Sequence, residues 1–128
     1  MNFASTRIIT ADINRLVAFY EKATATPAAW STPDFAELTT PNGVTLAVGS
    51  TRTVPLFAPG SAAPAANRSV IVEFLVDDVD ALWEELGGWF TDVVAGPKTM
   101  PWGNRSLLVR DPDGNLVNFF TPGRRTAA

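Results

Sequence analysis

Arg7, Glu37, Glu73 and Asn118 are the residues of this chain best suited to chemistry, because each sits in a run that otherwise alternates as a strand. Arg7 carries a planar fork of donors that would anchor a carboxylate, a phosphate or a polarised carbonyl. Its competing role is an ion pair with Glu73, which occupies the equivalent strand later in the chain. Glu37 and Glu73 would serve as general bases if desolvation raised their pKa values, or would sit solvated at the mouth of a cleft. Asn118 can donate and accept through one amide, which suits ligand recognition. Trp30 and Trp102 precede two similar hairpins, where a flat ring either stacks on a planar ligand or plugs a sheet edge. Phe57 lies in a Pro/Ala-rich stretch that either folds over the cleft or a partner subunit, or stays a mobile connection.

Several chemistries are excluded by composition. The chain has 128 residues with no histidine and no cysteine. The commonest metal ligand, the commonest general base and any thiol nucleophile are therefore missing together. A Ser/His/Asp or Cys/His arrangement is impossible. Gly87-Gly88 is placed to end a helix, and Gly43 and Gly114 to close turns, so no glycine pattern reads as a nucleotide loop. A net charge of −3 without a basic run argues against nucleic acid and anionic membranes. No apolar run is long enough to span a bilayer, and the first residues lack the pattern of a signal peptide; a cytoplasmic location is the expectation.

The elements that must position these side chains repeat. A strand over 3–10 leads to a helix capped by Asp12, with Ile13, Leu16, Val17 and Tyr20 on one stripe as far as about Thr24. A short extended piece holds Trp30 between Pro27 and Pro33. A hairpin over 35–49 follows, turning at Pro41-Asn42-Gly43. Residues 50–69 read as a linker. Then comes a strand over 69–76 and a helix capped by Asp78, with Val79, Leu82, Trp83 and Leu86 facing the core. A short strand within 89–97 and a hairpin over 100–120 close the series, turning at Pro112-Asp113-Gly114. Pairing Asp111 with Asn115 sets Val109 against Val117, Leu107 against Phe119 and Leu108 against Asn118. Arg124 and Arg125 are expected on a frayed tail.

Laid on one another, the halves match at Asp12-Ile13 with Asp78-Val79 and at the two Pro-x-Gly turns. The expectation is an α+β fold of two βαβββ modules, about 1–50 and 69–122, with a linker of about 51–68 between them. One strand face, with Thr6, Ile8, Ala36, Leu38, Leu46 and Val48 in the first half, and Val70, Val72, Phe74, Leu107, Val109, Val117 and Phe119 in the second, should pack under helices. The opposite face gathers Arg7, Glu37, Glu73, Arg110 and Asn118, and two modules set side by side would wrap it around a cleft. Burying such charges is expensive unless they pair or meet a ligand.

Asp12 with Phe19-Tyr20-Glu21, the segment VEFLVDDVDALWEEL and the segment PWGNRSLLVRDPDGNLVNFF resemble the vicinal oxygen chelate superfamily, the glyoxalase, bleomycin-resistance and extradiol-dioxygenase group. The resemblance implies four metal-facing positions, which here hold Ser5, Ala47, Ile71 and Asn118. These are poor ligands for a divalent transition metal. The chain is accordingly more similar to the bleomycin-resistance-like branch, whose members are homodimers that hold an organic molecule without altering it. The resemblance implies metal-independent binding of a small organic ligand, with no cofactor and no catalytic residue. The alternative is an isomerase or lyase of the same fold, with Glu73 or Glu37 as base and Arg7 stabilising developing negative charge.

Overall fold

The computed structural model describes residues 1–123, which fall into two compact units, Met1–Asn67 and a second beginning at Arg68. Arg124 and Arg125 lie outside the described residues. The fold is α+β, and each unit carries one four-stranded mixed sheet.

In the first unit the order is β1 (Ser5–Thr10), α1 (Ile13–Thr24), β2 (Ala29–Thr32), β3 (Phe35–Thr39) and β4 (Thr45–Ser50). The Asp12 side chain accepts from the Arg15 N–H at 3.1 Å and so satisfies an open donor of the first helical turn. Ala25, in the left-handed region at φ 51°, ends α1. Between them Ile13, Leu16, Val17, Phe19, Tyr20 and Ala23 are buried, and the helix lies on β3 and β4. Completely burying a side chain of this size contributes about 1.5–3 kcal/mol. The sheet runs β1-β4-β3-β2, with β1 parallel to β4 and the other pairs antiparallel.

After β4 the chain does not run on as an extended linker. Thr51–Thr53 forms a 3-10 turn and Val54–Phe57 a short helix, α2, with Val54 buried. Pro55 fits the start of that helix because its missing N–H costs no hydrogen bond there.

The second unit contains β5 (Val72–Leu75), α3 (Val79–Leu86), β6 (Val93–Thr99), β7 (Arg105–Arg110) and β8 (Leu116–Thr121), in sheet order β5-β8-β7-β6. Asp78 caps α3 by accepting from the N–H groups of Asp80 and Ala81. The hairpin register is the one expected, with Val109 opposite Val117, Leu107 opposite Phe119 and Leu108 opposite Asn118. Its turn is built like the one in the first unit. Gly43 and Gly114 take φ 86° and 82°, and each donates its N–H three residues back, to Thr40 and Asp111. Duplication therefore reaches down to backbone geometry.

Several expected core positions differ, and Ile8, Val72 and Phe74 are only half-buried. Thr6 and Val70 are exposed, because Thr6 lies on an edge strand and Val70 precedes β5. Trp83 is half-buried: the eight-residue α3 buries Val79 and Leu86 at its ends, leaving Leu82 and Trp83 at the margin of the packed stripe. No helix among the described residues is long and apolar enough to cross a membrane.

Candidate functional site

Across the first sheet, Arg7 on β1 is in register with Ala47 on β4, Glu37 on β3 and Ala29 on β2. The next row on the same face holds Ile9, Gly49, Phe35 and Thr32. Arg7 and Glu37 are both exposed and stand two strands apart, about 10 Å at ordinary strand spacing. Ala47 between them is buried, its methyl forming part of the floor.

The guanidinium of Arg7 is held by rings. Its central carbon lies 4.9 Å from the ring centroid of Phe57 and 6.0 Å from that of Phe35. Both contacts fall within the range in which the ring quadrupole attracts a cation. Among the described residues the Arg7 side chain has no hydrogen bond and no acidic partner. Its in-plane donors are therefore open.

Phe57 reaches Arg7 because α2 folds back over this face, and two features of the chain cause it. Gly49 is the first. A side chain there would begin 3.1 Å from Thr53 Oγ1, 3.4 Å from Ile9 Cδ1 and 3.8 Å from Arg7 Cδ. Its absence leaves room for the 3-10 turn and the Arg7 stem, which is the usual meaning of glycine inside a strand. The second is a clamp on Asp34. Asp34 Oδ1 accepts from Ser50 Oγ at 2.8 Å and from Arg52 Nε at 2.7 Å, tying the turn to the β2–β3 connection.

The Arg52 hydrogen bond, then that of Ser50 and the Arg52 charge, hold the Asp34 carboxyl below the usual aspartate range. A depressed folded-state value contributes stability above the ordinary aspartate pKa of about 3.9, and that contribution is lost as pH falls through the folded value. Urea midpoints of the wild type and of Asp34→Asn, measured against pH, should separate above about pH 4 and converge below it. Parallel curves throughout would show that Asp34 does not clamp the turn.

In the second sheet Glu73 is in register with Asn118, and Asn118 with Leu108. Asn118 Nδ2 donates to Glu73 Oε2 at 2.9 Å. Its Oδ1 is buried with no hydrogen-bond partner among the described residues, an unmet acceptor that costs about 1–3 kcal/mol. Arg7 and Glu73, expected as alternative ion-pair partners, thus meet Phe57 and Phe35 in the one case and Asn118 in the other, each inside its own unit. Glu37 and Glu73 are exposed, and Arg110, half-buried, donates to the Gly114 carbonyl at 3.0 Å.

The two tryptophans do not join these groups. Trp30 is in register with Ala36, on the opposite face of β2 from Ala29 and Glu37, and is 43% exposed. Trp102 sits in the turn before β7, where Gly103 donates to the Met100 carbonyl, and is 71% exposed. Gly49 and Asp34 escaped the sequence reading, and Phe35, expected on the same face as Arg7, was not picked out as its neighbour. A glycine inside an apolar strand, followed by Ser50 and a Val-Pro helix start, was the available signal.

Ser5, Ala47, Ile71 and Asn118 do not fit a metal. Ala47 and Ile71 have no donor atom, and an amide that holds Glu73 presents one weak oxygen at most. Among the described residues no three His, Cys, Asp or Glu side chains are grouped to hold an ion.

A family model described as the glyoxalase/bleomycin resistance protein/dioxygenase superfamily matches residues 2–119. No curated protein matches the chain. Solved structures do. A glyoxalase/bleomycin resistance protein/dioxygenase from Nocardioides is 20% identical with a TM-score of 0.76, over 100% of this chain and 90% of that one. A family enzyme from Burkholderia phytofirmans PsJN is 20% identical with a TM-score of 0.80, over 94% and 98%. A glyoxalase-related enzyme from Fulvimarina pelagi is 19% identical with a TM-score of 0.77, over 100% and 99%. At these identities the structures speak for the fold. With the family model spanning both units, the chain belongs to the glyoxalase/bleomycin resistance protein/dioxygenase superfamily.

Proposed function

We propose that the protein binds a small organic molecule without a metal and without altering it, as a homodimer, in sequestration or resistance. The observation that carries this reading is Arg7, an exposed cation steadied by Phe57 and Phe35 with its donors unspent. Packing accounts for its stem. An open guanidinium fork on an aromatic mount is what recognition of an acceptor-bearing molecule requires. The poor donor set at Ser5, Ala47, Ile71 and Asn118 supports the absence of a metal in the task.

Native mass spectrometry of freshly purified protein tests this directly. The expected result is a dimer carrying a stoichiometric organic compound that is recovered unchanged after incubation. One tightly held zinc, iron or manganese per protomer, with function lost on chelation, would defeat it. A second reading rests on the Asn118–Glu73 hydrogen bond, which orients a carboxylate as a general base would need. Catalytic conversion of the recovered compound, abolished in Glu73→Gln, would establish that reading instead.

A further inference from the structure

Resting on the binding function just proposed, we infer that the ligand is an organic monocarboxylate, gripped in the first unit by Arg7, and that α2 completes its site by setting Phe57 over the guanidinium. Phe57 at 4.9 Å and Phe35 at 6.0 Å hold the Arg7 guanidinium in place. No acceptor among the described residues takes up its N–H donors, which leaves its fork for a two-oxygen acceptor.

Charge narrows the class. Arg7 is a single uncompensated cation; Arg52, the cation nearest α2 in sequence, is bound to Asp34 at 2.7 Å. A monoanion is neutralised by that one fork, whereas a dianion would keep a second charge unpaired, with Glu37 in the same row as Arg7. A phosphate would meet one fork and an opposing carboxylate, a poor match for its charge. The surroundings select an organic body. Ile9, Ala47, Phe35 and Phe57 line the face, and Gly49 adds no bulk to it. A flat apolar group attached to one carboxylate suits these walls.

Benzoate, its neutral isostere benzamide and inorganic phosphate are the probes, titrated into isotope-labelled full-length protein while the Arg7 Nε and Phe57 amide resonances are followed. Benzoate should saturate both signals, and benzamide should bind about tenfold more weakly or worse, because a charged hydrogen bond is exchanged for a neutral one. Phosphate should produce no saturable shift. Arg7→Gln should lower benzoate to the level of benzamide with little change in thermal midpoint, since the side chain is exposed. Phe57→Leu should weaken benzoate several-fold yet keep the preference for it over benzamide.

Equal affinity for benzoate and benzamide, an unaltered titration of Arg7→Gln, or phosphate binding as well as benzoate would each overturn the carboxylate assignment. So would a compound retained through purification that lacks a carboxylate; that result would leave small-molecule binding intact. Silence towards all three probes, together with native mass spectra free of any compound, would remove both.

Discussion

Phe119→Ala should destabilise the second unit by about 3–5 kcal/mol, the range for emptying an aromatic site in a packed core. Phe119 has no exposed surface and sits on β8 between Leu107 of β7 and Phe74 of β5. Its ring is stacked on Phe74 at 5.6 Å and tilted against Phe90 at 5.8 Å. Removing it opens a void bounded by three strands and the segment after α3. Phe120, partly exposed on the other face of the same strand, is the control, and Phe120→Ala should cost less than Phe119→Ala. Chemical unfolding monitored by circular dichroism checks both. Equal losses at the two positions would mean that the β8 faces are assigned the wrong way round.

Gly49→Val should separate Phe57 from Arg7 and reduce benzoate binding at least as far as Phe57→Leu does. A side chain at this position starts 3.1 Å from Thr53 Oγ1, tighter than ordinary contact. Thr53 cannot simply swing aside, because its hydroxyl donates to the Ser50 carbonyl at 2.7 Å. Valine adds two methyl groups beyond that point, facing Ile9 and the Arg7 stem, so the 3-10 turn must lift and α2 must follow. Overpacking of this kind costs about 1–3 kcal/mol. Gly49 does not occupy the left-handed region, so the loss should grade with side-chain size: small for Gly49→Ala, larger for Gly49→Val. Wild-type benzoate affinity in a folded G49V protein would show that α2 has no part in the site.

Much of the architecture is readable from local patterns. Asp12 and Asp78 announce their helices because a short acidic side chain is well placed to meet free N–H groups. The Pro-x-Gly turns set the register of both hairpins because glycine accepts the positive φ that the reversal needs. Neighbours two to four residues apart govern these features, and a sequence displays such neighbours directly. Arg7, Phe57, Glu73 and Asn118 are likewise visible one by one, as polar or aromatic residues in telling positions.

Their partnerships were settled only by tertiary structure. Asn118 meets Glu73 through the parallel pairing of β5 with β8, a contact across 45 residues that no local period encodes. Trp30 turns to the face opposite Glu37 because its register on β3 places it against Ala36. Residues 51–57 have the composition of a linker, yet a vacancy at Gly49 and the Asp34 clamp fold them onto the sheet. The amino-acid order thus determined which elements form and which side chains are available. Packing across strands decided which of those side chains meet, because that depends on register and on space left by a missing Cβ.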